Sequence, residues 1–445
     1  MIGLSVETLR NLAALELVQL AEEDRDTSSA QALYDQAACA SEPEALNLLN
    51  EFWIAALKAP VDADSFYVEP TAWEELVRRC PELAAEPAAL PEPAGLQGRI
   101  YGAWLGRCAG CMLGKPVEGR SRAEIADLLE VAGEYPLQDY FPVIEDTCGI
   151  AYRPPSDPCL RGNITCGARD DDTDYTILGL HLVKTYGLEL TSVEVGKEWL
   201  LRLPYHKTYT AERAAYRNLV MEVSPGQTAV MWNPYREWIG AQIRADAFGY
   251  VCPGWPSQAA RLAYQDASLS HVKNGIYGEM FFAAMLAESL VSEYGEIGAV
   301  IERALQVVPG ESRFAEMSRD VVAWCRQDAS WEDTWERINA TYGRYHRVHT
   351  INNAALVLMG LLHSQGDFGR AICIAVMGGW DTDCNGATAG SVMGALLGAE
   401  QLAERWVAPL NDTLHSALDG YNINSIRDLA AQTTELALEL RRQSA

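Results

Sequence analysis

Basic charge is scarce in this chain. Its 445 residues hold 35 lysines and arginines against 61 acids, a formal net charge of −26. A surface of that sign repels nucleic acid and anionic membranes, so neither is expected as a partner. An anionic ligand would need a metal, a helix N-terminus or local arginines to offset the field. Long apolar runs are missing as well, and none is long and charge-free enough to span a bilayer. The opening stretch MIGLSVETLRNLAALELVQLAEEDRD has no basic region ahead of an apolar core, so no signal peptide is read there. The cysteines lack a pairing pattern: eleven is an odd number, and they are scattered. Cys108 and Cys111 form a CxxC, but no second CxxC completes a structural zinc site. Reduced core thiols in a cytoplasmic protein are the expectation. Strand-like alternation is also rare, and no fixed repeat period runs through the chain.

What is present is helical periodicity. Apolar residues recur at three- and four-residue spacing over 6–23 and 42–59. Similar patterns predict helices near 100–114, 122–132, 174–187, 192–203, 208–222, 257–267, 275–292, 296–307, 312–327, 331–341, 351–364, 367–377, 385–400 and 425–442. The fold class is therefore all-α. An Ala/Pro/Glu-rich stretch at 82–97 reads as a linker. It divides a helical N-terminal module, 1–95, from a main domain, 96–445.

Two helices carry glycine ladders. Gly102, Gly106, Gly110 and Gly114 fall every fourth residue, and so do Gly386, Gly390, Gly394 and Gly398. An interior glycine costs a helix about 1 kcal/mol relative to alanine. Spacing by four puts each set on one face, where a bare backbone admits another helix closely. The first ladder stops at Gly114-Lys115-Pro116, a helix-stop signal, with Glu118 just beyond. Asp381 and Asp383 lie at the start of the second. Antiparallel packing of the two would bring Glu118 to Asp381 and Asp383.

A second acid run, RDDDTDYT, holds Asp170, Asp171, Asp172 and Asp174 ahead of an apolar helix. Acids at a helix N-terminus are favoured by the dipole, which accounts for one or two of them but not four. Clustered carboxylates with few basic neighbours suit a hard divalent cation such as Mg²⁺, Mn²⁺ or Ca²⁺. Asp171 and Asp172 with Asp381 and Asp383 form the expected ligand set, and Asp170 is a further contributor.

The stretches GAWLGRCAGCMLGKPVEG, RDDDTDYT and GGWDTDCNGATAGSVMGALLG resemble the ADP-ribosylglycohydrolase family, in family order over about 97 to 410. The resemblance implies an all-α fold with a two-ion Mg²⁺ or Mn²⁺ site in a central cleft. Its metal ligands fall on Asp170, Asp171, Asp172, Asp381, Asp383 and Cys384, and its motif glutamate falls on Glu118. Three positions depart from the pattern. Asp170 and Cys384 stand where the family has hydroxyl residues, and Cys111 stands where many members have aspartate. A thiol is a poor Mg²⁺ ligand, so the second ion's position is altered. The chain reads as a divergent branch of the family.

The implied reaction is hydrolysis of a ribosyl glycosidic bond, releasing ADP-ribose from an ADP-ribosylated substrate. It needs a stabilised sugar cation, an activated water and help for the leaving group. Either Glu118 or Asp172 can be the general base. Candidate substrate contacts are Trp232, Trp380, His271, Asn352 and Asn353. Trp232 also reads as a core aromatic, His271 as a satisfied buried histidine, and the asparagines as helix caps. Arg169, Arg236 and Arg244 are the arginines available for a pyrophosphate. An N- or O-glycosidase of nucleosides or other small pentosyl glycosides is the first alternative, and a non-catalytic nucleotide- or sugar-binding protein the second. The DTDYT run at 172–176 also fits a haloacid-dehalogenase-type phosphatase motif. That reading needs a preceding buried strand and a parallel α/β sheet, and neither pattern is present. The sequence leaves oligomeric state open and assigns the N-terminal module no role.

Overall fold

The computed structural model describes residues 4–88, 90 and 92–444. Among the described residues twenty α-helices are joined by short 3₁₀ turns, and the one sheet is the antiparallel pair Thr413–His415 and Ile423–Ser425. The fold is all-α, as the periodicity predicts. No helix among the described residues is long and apolar enough to cross a membrane.

The glycine ladders organise the centre. Helices Pro93–Gly114 and Thr382–Leu397 pack antiparallel, with Gly102 against Gly394, Gly106 against Gly390, Gly110 against Gly386 and Gly114 against Thr382. A Cβ built on any of these glycines would overlap backbone atoms of the facing helix. Close approach of the two backbones is thus what offsets the propensity cost of so many glycines. Around this pair lie Lys273–Ser289, Thr350–His363 and Phe368–Met377, each buried along most of its length.

The first three helices, Val6–Glu22, Ser28–Cys39 and Glu42–Leu57, bury apolar faces in a small cluster of their own. Trp232, from the main body, closes it by stacking on Trp53 with ring centroids 4.6 Å apart. The stretch at 82–97 is less of a linker than its composition suggests. A 3₁₀ turn spans Pro81–Ala84, and the first ladder helix already begins at Pro93. Proline fits a helix's first position because the N–H it lacks would go unpaired there anyway.

Candidate active site

The ladder pair fixes where the acids go. Beyond Gly114 the chain makes a 3₁₀ turn, Lys115–Val117, and delivers Glu118. On the other side Gly379 and Trp380, at φ +83° and +65°, turn the chain into Asp381. Two backbone hydrogen bonds tie these loops together: Gly119 N–H donates to Trp380 O, and Trp380 N–H to Arg120 O, both at 2.9 Å. A side chain at Gly379 would meet Arg120 and Arg122 backbone at close range. Asn353 then sets the aspartate loop, its Oδ1 accepting from Asp381 N–H at 3.1 Å and from Asn385 Nδ2 at 2.9 Å.

The second acid run begins helix Asp171–Tyr186. Asp170 is its N-cap, accepting from Asp172 N–H at 3.0 Å, and it pairs with Lys115. Against the effect of burial, Lys115 holds the Asp170 carboxyl below its ordinary range. Asp174 pairs with Arg169 at 2.8 Å and accepts from Ala417 N–H. Asp172 is held from behind by Arg107, at 3.0 Å, which also pairs with Asp246 at 3.1 Å.

The two runs meet. Ligand atoms of Glu118, Asp381 and Asp383 lie within 4.8 Å of one another, and so do those of Asp172, Asp383 and Cys384. Asp383 belongs to both groups. The Cys384 Sγ sits 3.2 Å from Asp172 Oδ2. Burial, and then the charge of neighbouring carboxylates, pushes Asp171 and Asp381 well above the usual carboxylate range. Burial also raises Asp172 well above that range, although Arg107 opposes it. The charge of Asp383, then burial, raises Glu118 to about 7. Such mutual repulsion is what a divalent cation relieves.

These acids floor a cavity of about 650 Å³ whose wall also includes Trp380, Tyr209, Glu212 and Gly240. Of the residues singled out from sequence, the structure brings Glu118, Asp170, Asp171, Asp172, Asp381, Asp383, Cys384 and Trp380 to this cavity. It also brings Arg169, but not Trp232, His271, Asn352, Asn353, Arg236 or Arg244. Trp232 faces Trp53 in the N-terminal cluster. His271 is buried, its Nδ1 2.8 Å from Ser270 Oγ. Asn352 and Asn353 are buried scaffolding, holding the carbonyls of His346 and Arg347. Arg236 pairs with Glu16 and Glu23 at 2.6 and 2.7 Å, and Arg244 with Glu212 and Asp266, so both arginines are spent on buried acids. Arg107, Lys115, Arg153 and Arg347 escaped the sequence reading. Arg107 and Lys115 had a signal, since both lie in the first ladder motif. Arg153 and Arg347 had none, because nothing local marks an arginine as facing a cavity built by distant segments.

Fold and site together define an all-helical protein built around a carboxylate-lined cleft. The sequence profile of the ADP-ribosylglycohydrolase family matches residues 92–443, and the chain belongs to that family, whose members are glycohydrolases acting on ADP-ribose-type substrates. Among solved structures, one described as an "ADP-ribosylglycohydrolase-related protein complex" is similar at 21% identity and a TM-score of 0.44, covering 79% of this chain and 100% of that one. No functionally curated protein matches the chain.

Proposed function

We propose that this chain is a divalent-metal-dependent hydrolase that releases ADP-ribose from an ADP-ribosylated substrate. The observation that carries the reading is the meeting of both acid motifs in one cavity, with Asp383 common to two ligand groups. The donor set fits a hard divalent cation. Asp381 is only 8% exposed, no N–H, hydroxyl or cationic side chain among the described residues donates to its carboxylate, and its near neighbours Glu118 and Asp383 are themselves acids. Leaving it ionised without a cation would be costly. Asp171, Asp172, Asp381 and Asp383 would hold Mg²⁺ or Mn²⁺, with Glu118 and Cys384 at the edges of the two groups. Asp170, already engaged by Lys115 and by the helix it caps, orients this set. Bound there, the cations supply Lewis acidity and positive charge close to the sugar.

The chain's own residues divide the remaining work. Glu118 faces the cavity beside Asp381 and Asp383, placed to take a proton from the attacking water. Asp172 is less suited to that role, because Arg107 fixes it in place from behind. As the bond from the anomeric carbon to the leaving group breaks, positive charge grows on the sugar, and the acidic floor stabilises it. Trp380, on the wall beside Asp381, excludes water from one flank.

A nucleoside or other small pentosyl glycoside is the second reading. It is favoured by one observation: most cations on the cavity wall are already paired with acids. A substrate panel separates the two. ADP-ribosyl-arginine, adenosine and inosine would each be incubated with Mn²⁺-loaded protein. Release of ADP-ribose from the first alone supports the proposal, and turnover of the nucleosides alone moves the substrate to the second reading. No turnover on any of them, with Mn²⁺ still bound, would make the chain a binding protein.

A further inference from the structure

Four cations line the cavity: Lys115, Arg153, Arg169 and Arg347. Three of them face a carboxylate. Lys115 pairs with Asp170, Arg169 with Asp174 at 2.8 Å, and Arg153 with Asp157 at 4.0 Å. Arg347 has no carboxylate partner among the described residues. Its guanidinium is steadied by a single neutral group, Nη1 donating to the carbonyl of Gly119 at 3.0 Å. That carbonyl belongs to the residue after Glu118, so Arg347 sits over the loop that carries the proposed base. In a chain with 61 acids, a wall cation left unpaired has donors free for a ligand.

The backbone carrying Arg347 is held with unusual care for an exposed residue. Its carbonyl accepts from Asn353 Nδ2 at 2.9 Å. The preceding carbonyl, of His346, accepts from Asn352 Nδ2 at 3.1 Å, and the His346 ring stacks on Trp238 at 4.0 Å. The following carbonyl, of Val348, accepts from Ile239 N–H at 2.9 Å. The last restraint comes from the N-terminal module. Glu22, at the end of helix Val6–Glu22 and 5% exposed, accepts the His346 N–H at 2.5 Å. The backbone carbonyl of Glu22 is itself held by Arg313. A buried acid spent on one backbone N–H is a costly restraint unless the position it fixes matters.

We propose that Arg347 contacts a phosphate-type anion of the ligand, the diphosphate of an ADP-ribosyl group, and that Glu22 of the N-terminal module is the positioning residue that sets it. The inference rests on the ADP-ribosyl reading above. It gives the first ninety residues a part in ligand binding, and it separates the cavity into an acidic floor for the sugar and a basic edge for the diphosphate.

The test is calorimetric titration of full-length, Mn²⁺-loaded protein with ADP-ribose, with Mn²⁺ affinity and melting temperature measured alongside. Arg347→Ala is expected to weaken ADP-ribose about ten- to hundredfold, the value of a charge-assisted contact, with Mn²⁺ affinity and melting unchanged. Arg347→Lys should fall between, because a point charge replaces a two-pronged donor. Glu22→Ala should weaken ADP-ribose about two- to tenfold, and Glu22→Gln, which keeps the acceptor, should restore it. The double variant Arg347→Ala with Glu22→Ala should bind no worse than Arg347→Ala alone, because Glu22 acts through Arg347. Loss of less than about threefold in Arg347→Ala, or an equal loss of Mn²⁺ affinity, overturns the anion contact. Additive losses in the double variant overturn the positioning role. If wild-type protein binds Mn²⁺ but not ADP-ribose, the ADP-ribosyl reading fails along with this one. If it binds ADP-ribose and Arg347→Ala binds equally well, only this inference fails.

Discussion

Replacing Gly110 by alanine should destabilise the protein, while the same change at Gly98, on the same helix, should stabilise it. Both residues lie within helix Pro93–Gly114. A Cβ at Gly98 meets nothing within 4 Å, so only helix propensity changes, and alanine gains about 0.5–1 kcal/mol. A Cβ at Gly110 lands on the carbonyl carbon and oxygen of Gly386 and against Ala387 N. Those atoms are backbone inside a helix and cannot rotate aside, so the helices must part. Overpacking costs about 1–3 kcal/mol, and a backbone obstruction belongs at the upper end. Subtracting the propensity gain of about 1 kcal/mol leaves a net loss of about 2 kcal/mol. The same parting would move Glu118 away from Asp381 and Asp383, because each ladder helix delivers one side of that group. Equilibrium urea unfolding of both variants in EDTA reads the stability, and Mn²⁺ titration reads the site. Gly110→Ala should lose stability and Mn²⁺ affinity together, and Gly98→Ala should lose neither. A Gly110→Ala protein as stable as wild type, or one that is less stable but binds Mn²⁺ unchanged, would refute the link from ladder to site.

Three further outcomes follow from the buried charges. Arg107→Met leaves Asp172 and Asp246 buried without their cation. It should cost about 3–5 kcal/mol in EDTA, with part recovered by saturating Mn²⁺, and urea unfolding with and without the metal checks this. Metal-free protein should lose stability as pH rises from about 4.5 to about 7, because Glu118 and Glu22 titrate near the lower value when unfolded but near the upper when folded. Across that window the folded state holds more protons, so stability falls with pH. Thermal melts in Mn²⁺ should show a shallower slope than melts in EDTA, since the cation replaces protons at the site but not at Glu22; identical slopes would count against a metal there. Finally, Asp383→Asn should lower Mn²⁺ binding more than Asp381→Asn does, because Asp383 serves both ligand groups. Calorimetry that ranks the two the other way would contradict that assignment.

Much of this was legible in the sequence, and for identifiable reasons. The ladders were, because glycine every fourth residue has few uses other than close helix contact, and from them followed the approach of Glu118 to Asp381 and Asp383. The helices were, because long amphipathic periods are strong signals; Ser28–Cys39, short and polar, was not. The substrate contacts were read poorly. Trp232, His271 and Asn352 look functional in one dimension, yet the fold turns Trp232 toward the N-terminal helices and buries the other two. Arg236 and Arg244 likewise seemed free for phosphate until the fold set Glu16, Glu23, Glu212 and Asp266 against them. The Arg244 pairs span 32 and 22 residues and the Arg236 pairs 220 and 213, and pairing beyond a helix turn or two leaves no local trace; for the same reason Arg347 could not be seen as the cation left over.

Release of ADP-ribose from ADP-ribosyl-arginine is the most direct test of metal-dependent hydrolysis at the acidic floor. Wild-type protein stripped with EDTA would be assayed, then reloaded with Mn²⁺, with Asp383→Asn treated the same way. The expected result is no release from stripped protein, release on reloading, and none from the variant at any Mn²⁺ concentration. Equal release from stripped and reloaded wild type, or from Asp383→Asn, would mean that the acidic floor does not hold a catalytic metal.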